Sequence, residues 1–187
     1  FLPPDADCLR CTSAITCMHF EDIVSTLAEQ GVRYDRLQTT TPIRPGASED
    51  EVVQACRESI DRLMSEHGSV CIEVVSVNSE HPQKAELRAG FMNEHRHGAD
   101  EVRFFAAGRG LLALHIGDYL YAVLCERNDV VSVPAGTAQW FDMGEHPHLV
   151  AIRMYSSTQG MVANPTGADI ASHFPGPVSY THLRAHE

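Results

Sequence analysis

The chain has 187 residues, a length that predicts one domain, and 43% of them are hydrophobic, which is enough for a core. Its 25 acidic and 14 basic residues give a net charge of −11, which argues against nucleic acid or an anionic membrane as a partner. No apolar run approaches the ~20 residues of a membrane span. No basic segment followed by an apolar stretch and a cleavage site appears, so we expect a cytoplasmic protein, and a monomer.

The first segment, residues 1–17, shows no clean hydrophobic period. We expect it to be a fragment edge or misread coding sequence rather than part of the domain, which is predicted over 18–176. Three cysteines in this segment have the spacing of half a zinc site, but no second Cys or His pair follows at zinc-finger spacing: Cys8, Cys11 and Cys17. The last segment, 177–187, resembles the translation of a sequencing adapter, and we expect it to be a non-native tail.

Helices are predicted ahead of the strand region. Apolar residues recur at helical spacing over residues 21–30. A longer helix is predicted to begin at Ser48, because Ser48 and Glu51 have the spacing of a capping box, and to end before Gly68. A short helix or turn is expected over 85–93. The sequence therefore predicts two or three helices at the periphery of the fold.

From residue 69 onward the apolar pattern alternates with a period of two, which predicts strands. Turns are expected at 108–110 and 117–118, where glycines separate apolar runs. Short strands at roughly ten-residue spacing indicate an antiparallel sandwich or barrel, so the fold class is mainly β. The predicted strands are 71–77, 101–106, 111–116, 119–125, 130–133, 139–141 and 149–155.

A candidate metal site lies ahead of the second of these strands. His95 and His97 are two residues apart, so on a strand their side chains point to the same face. Gly98 permits a turn, after which Glu101 begins the next strand facing the same point. Two histidines and one carboxylate that leave open positions are the arrangement of non-haem Fe(II) oxygenases. The alternative is a polar strand end with solvated imidazoles.

The spacing around these residues continues as His-x-His-x3-Glu-x6-Gly, which resembles the first motif of the cupin superfamily. Five short segments point to one family within this superfamily, because together they resemble acireductone dioxygenases: 93–98, 100–105, 114–118, 133–137 and 140–144. The resemblance runs from about residue 18 to residue 175. It implies the cupin double-stranded β-helix, which is a jelly-roll barrel.

The resemblance also implies a fourth metal ligand, and here the chain departs from the family. Members supply a histidine from the motif Pro-x-Gly-x2-His, whereas the matching run 134–139 ends in Gln139. Three accounts stay open: Gln139 ligates weakly through its amide oxygen, water takes the position, or codon 139 was misread, since His and Gln codons differ only in the third base. The implied ligand set is His95, His97, Glu101 and Gln139.

The activity implied by the resemblance is an Fe(II)-dependent dioxygenase, with Ni(II) as the alternative metal. It cleaves acireductone with O2 to 4-methylthio-2-oxobutanoate and formate in methionine salvage. Arg103, which shares the strand parity of Glu101, and Arg153 are candidate catalytic cations for the substrate's negative charge. Three aromatic residues are candidate walls for the methylthio tail, with plain core packing as the alternative: Phe91, Phe105 and Phe141.

Two other functions compete with this one. The first is a metal-poor, non-catalytic cupin that binds a small molecule. The second is a dioxygenase that acts on a different enediol or a β-diketone. Bound metal together with O2 uptake on acireductone would separate the leading function from the first competitor.

Overall fold

The computed structural model describes residues 19–174 of the chain. The cysteines of the zinc half-site pattern and the adapter-like tail at 177–187 lie outside these residues. Between residues 19 and 174, no helix is long and apolar enough to cross a membrane.

The described residues form nine strands, four α-helices and two 3-10 helices, and the mainly β fold class predicted from the sequence is confirmed. The helices are α1 (Phe20–Ala28), α2 (Glu49–Ala55), α3 (Arg57–His67) and α4 (Lys84–Met92), with 3-10 helices at Thr158–Met161 and Ile170–His173. The strands are β1 (Arg33–Arg36), β2 (Cys71–Val77), β3 (His95–His97), β4 (Glu101–Ile116), β5 (Tyr119–Glu126), β6 (Asp129–Val133), β7 (Ala138–Asp142), β8 (Leu149–Tyr155) and β9 (Ala163–Pro165).

The α-helices number four rather than two or three because the long helix predicted from Ser48 divides at Cys56. Cys56 departs from helical geometry, with φ −102° and ψ 9°. Hydrogen bonds nevertheless continue through it, from the Cys56 amide to Val52 and from the Ile60 amide to Cys56, so α2 and α3 follow each other end to end. The capping box is confirmed: the Glu51 amide donates to Ser48 Oγ, and the Ser48 amide donates to the Glu51 carboxylate.

Strand β4 corrects one prediction. The turn expected at 108–110 does not reverse the chain, and β4 runs unbroken for 16 residues. The strand bends instead, at a register shift between Phe105 and Ala107 and at Gly108, whose φ is +70°. A Cβ on Gly108 would collide with the backbone oxygen of His148, so the close approach of the two strands requires glycine.

The bend lets β4 serve two halves of one antiparallel sheet. Its first part pairs with β6 and β8, and β1 and β2 lie outside these strands. Its second part pairs with β5 and β7, and β3 and β9 follow beyond β7. A cluster that includes Phe105, Leu112, Phe141 and Leu149 forms the main core. A second cluster packs α2 and α3 against the first half of the sheet.

Candidate metal centre

The predicted site residues come together, and they come from both halves of the sheet. Strands β3 and β7 carry His95, His97 and Gln139, and His95 is the register partner of Gln139. The other half of the sheet contains the first part of β4, which carries Glu101, and β8, which pairs with it. All six residues of this cluster are buried, each at most 5% exposed: His95, His97, Glu101, Gln139, Arg103 and Arg153.

The two histidines present Nε2 for binding. Their rings lie 4.9 Å apart at 84°. His95 Nδ1 is 2.7 Å from the Asn93 carbonyl oxygen, and His97 Nδ1 is 2.8 Å from that of Gly160. A carbonyl only accepts, so each Nδ1 carries the proton and each Nε2 keeps its lone pair. Burial lowers the pKa of both imidazoles, which favours the neutral form that a metal requires.

The Glu101 carboxylate uses its two oxygens differently. Oε1 accepts hydrogen bonds from Arg103, at 3.1 and 2.7 Å, and from Arg153 Nε at 2.8 Å. Oε2 accepts from Gln139 Nε2 at 3.1 Å and lies 3.9 Å from His97 Nε2. Burial by itself raises the pKa of Glu101, but the two guanidinium groups outweigh burial and hold that pKa well below its usual range. Glu101 is therefore a carboxylate with Oε2 turned toward His97.

Gln139, the residue predicted at the fourth ligand position, acts as a hydrogen-bond donor in the structure. Its Nε2 donates to Glu101, and its Oε1 is buried with no hydrogen-bond partner among residues 19–174. An unsatisfied buried acceptor costs roughly 1–3 kcal/mol. The orphaned oxygen is a ligand type that divalent ions accept.

The donor chemistry fits a divalent ion, but the donors are held apart. Among residues 19–174, no three His, Cys, Asp or Glu side chains are already arranged to hold a metal. The group that intervenes is Arg153, whose Nη2 is 2.9 Å from His97 Nε2. The 3.9 Å between His97 Nε2 and Glu101 Oε2 is still less than two metal–ligand bonds of about 2.1 Å each. If Arg153 moved away, two imidazole nitrogens, a carboxylate oxygen and an amide oxygen would be free to bind one ion.

A cavity of about 390 Å³ leads to this cluster. Its lining includes His95, His97 and Arg153 on the polar side and Leu87, Phe91 and Met161 on the apolar side. Of the predicted tail-binding aromatics, Phe91 lines the cavity, whereas Phe105 and Phe141 belong to the main core.

The two predicted arginines occupy different places. Arg153 lines the cavity, with hydrogen bonds to Glu101 and His97. Arg103 is not among the residues that line it. Its guanidinium donates to Glu101 and lies 5.1 Å over the Phe141 ring, because strand parity turns it toward the same buried carboxylate.

Sequence reasoning missed Glu73, which lines the cavity and accepts a hydrogen bond from Arg153 Nη1 at 2.7 Å. A signal for it was present in the sequence. Glu73 is the only charged residue of its apolar strand, as Arg153 is of its own, and the two are register partners. Tyr155 was also missed, and its buried ring lies 5.2 Å from that of His97.

Comparisons with known proteins agree on one family. Residues 12–163 match the model of the ARD/ARD' family, so the match begins inside the segment 1–17, which was expected to lie outside the domain. Acireductone dioxygenase from Pseudomonas fluorescens is 66% identical over 157 residues, which are 84% of this chain and 87% of that protein. The enzyme of the same name from Pseudomonas aeruginosa is 63% identical over the same shares.

Among solved structures, an acireductone dioxygenase from Bacillus anthracis, with a cadmium ion in its active centre, superposes with a TM-score of 0.68. The two sequences are 26% identical, and the aligned part covers 79% of this chain and 90% of the Bacillus anthracis chain.

Proposed function

The chain belongs to the ARD/ARD' family, and on that premise we propose that it is a metal-dependent acireductone dioxygenase. The substrate is an acireductone with a methylthioethyl tail. Cleavage with O2 yields 4-methylthio-2-oxobutanoate and formate, a step of methionine salvage. Two proteins named acireductone dioxygenase match 84% of this chain, which supports the assignment.

The proposed metal is Fe(II), with Ni(II) as the alternative. Its donors would be Nε2 of His95 and His97, Oε2 of Glu101, and Oε1 of Gln139 as a weak fourth donor. Imidazole and carboxylate suit both metals, whereas the amide oxygen suits Fe(II) better than Ni(II). When bound, the ion supplies Lewis acidity and open positions for the two oxygens of the enediolate.

The protein's own groups bind and orient the substrate. Arg153 lines the cavity and can donate hydrogen bonds to the anionic oxygens of the enediolate. Arg103 keeps Glu101 ionised and fixed through two hydrogen bonds to Oε1. The apolar side of the cavity, formed by Phe91, Leu87 and Met161, can hold the methylthio tail and keep water from it.

One observation carries this proposal beyond family membership. Two imidazoles that keep their lone pair on Nε2 and one ionised carboxylate lie side by side, buried beside a cavity that also exposes a guanidinium. A purely structural cluster would have no need of a cavity of about 390 Å³ next to it.

The test is O2 consumption by metal-loaded protein. Protein stripped of metal and then reloaded with Fe(II) under anaerobic conditions should consume one O2 per acireductone and release formate. The Glu101→Gln variant should bind little Fe(II) and consume no O2. Stoichiometric Fe(II) in the unsubstituted chain without O2 uptake would refute the activity while leaving the metal site intact.

One observation favours the competing function, a metal-poor cupin that binds a small molecule. Arg153 and Gln139 already satisfy His97 Nε2 and Glu101 Oε2 without any metal. Metal analysis after supplementation separates the two functions, because the binder would retain no Fe(II) or Ni(II).

A further inference from the structure

Arg153 and a metal ion compete for one lone pair. The Nδ1 of His97 faces the Gly160 carbonyl oxygen and therefore carries the proton, which leaves Nε2 as the only acceptor on the ring. Arg153 Nη2 donates to this atom at 2.9 Å. A metal ligated by His97 needs the same lone pair, so Arg153 must move away from Nε2 before the ion can bind there.

Glu73 is placed to hold Arg153 after that movement. It accepts from Arg153 Nη1 at 2.7 Å, on the nitrogen that does not face His97. Its side chain is 41% exposed and lines the cavity, so it can follow the guanidinium without rearranging the core. Glu101 meanwhile keeps both hydrogen bonds from Arg103, so its charge stays paired when Arg153 shifts.

The charges around the site favour the same role for Glu73. Two carboxylates, Glu73 and Glu101, balance two guanidinium groups, Arg103 and Arg153, within one connected set of hydrogen bonds. A divalent ion adds two positive charges to this neutral set. Without Glu73 the set would already carry one excess positive charge, and Glu101 and His97 would be the remaining hydrogen-bond partners of the Arg153 guanidinium within residues 19–174.

We propose that Glu73 is a positioning residue that holds the Arg153 guanidinium on the cavity wall, away from His97 Nε2, when a metal binds. This inference rests on the proposed function, because it presupposes that His97 is a ligand. Glu73 itself contacts neither the metal nor the reacting atoms. It acts through Arg153. By holding the guanidinium it first frees His97 Nε2 from Arg153, and it then keeps the guanidinium where the substrate can contact it.

The test compares Ni(II) dissociation constants, measured calorimetrically without substrate, for the unsubstituted chain and three variants. Glu73→Gln should raise the Kd by about tenfold, which corresponds to about 1.4 kcal/mol. Glu73→Asp keeps the charge and should stay within about threefold of the unsubstituted chain. The matched control is Glu86→Gln, which removes the same charge from the same cavity on α4 and should change the Kd by less than about twofold.

A second readout follows the substrate. At saturating Fe(II), Glu73→Gln should raise the KM for acireductone more than it lowers kcat, because the misplaced Arg153 binds the enediolate less well. Circular dichroism of each variant checks that the fold is kept, which the exposure of Glu73 leads us to expect.

The outcomes separate this inference from the proposed function. Equal Kd shifts for Glu73→Gln and Glu86→Gln would reduce the effect to general charge and overturn the positioning role. Ni(II) binding that no variant alters would overturn the role and leave the metal site standing. An unsubstituted chain that binds neither Ni(II) nor, in an anaerobic titration, Fe(II) would overturn both.

Discussion

Gln139→His is the substitution that probes the metal site most directly. Gln139 is 2% exposed, its Nε2 donates to Glu101, and its Oε1 has no hydrogen-bond partner in the described part of the chain. A histidine of similar size would remove the unsatisfied oxygen, whose cost is roughly 1–3 kcal/mol. It would also add an imidazole nitrogen beside those of His95 and His97.

The expected gain is a Kd for Fe(II) or Ni(II) lower by at least about tenfold, or about 1.4 kcal/mol. Ni(II) should gain more than Fe(II), because it prefers nitrogen to amide oxygen. The assay is calorimetric titration of metal-free protein, with metal analysis after dialysis. An unchanged Kd would refute the reasoning, since it would mean that position 139 does not face the ion.

Gln139→Met is the matched control, because it keeps the length of the side chain and removes both polar atoms. If Oε1 is the fourth donor, this variant should bind metal about three- to tenfold more weakly. If Gln139 serves only to satisfy Glu101 Oε2, the variant should bind metal as tightly as the unsubstituted chain or more tightly. The second result would exclude Gln139 from the ligand set.

Three further predictions follow from the structure. Gly108→Ala should lower the free energy of unfolding in urea by about 3 kcal/mol, because the added Cβ would collide with the His148 backbone and φ at this position is +70°. The control Gly90→Ala adds a Cβ in open space on α4 and should not destabilise the chain. Lowering the pH from 7 to 5 should lower the urea midpoint of the metal-free protein. Burial puts the pKa of His95 and His97 below the value near 6.5 of the unfolded chain, so unfolding takes up protons in this range. A midpoint that rises on acidification would contradict this sign, and a His95→Gln variant should show a weaker dependence. Phe91→Ala should raise the KM for acireductone severalfold with a smaller effect on kcat, whereas the core variant Phe105→Leu should lower stability without that KM effect.

Strand parity made much of the site predictable. The spacing of His95 and His97 on one strand, and of Glu101 and Arg103 on the next, fixes which side chains share a face, and the structure brings all four together. Parity does not say which hydrogen bonds those side chains make. The bond from Arg153 to His97 joins residues 56 positions apart. Their strands, β8 and β3, are brought together only through their pairing with β4 and β7, which the sequence pattern does not reveal.

The fold was predictable where the strands are long and apolar. Strands β2 and β8 begin and end at the predicted residues. Strands β1 and β9 were missed because they span only four and three residues, which is too short for an alternating pattern to be recognised. Their pairing with β6 and β3 defines them. The segment 108–110 contains two glycines, as many hairpin turns do. Here one of them bends a continuous strand instead, a distinction that depends on the chain segments packed against it.

The sharing of β4 between the two halves has a consequence for the order of assembly. One half contributes the imidazoles and the amide of the cluster, and the other contributes the carboxylate and the guanidinium of Arg153. Neither half alone holds all four proposed donors, so we expect the full ligand set to exist only after the two halves have packed together. In the folded chain the two arginines already neutralise the Glu101 carboxylate, so burying that charge does not require an ion.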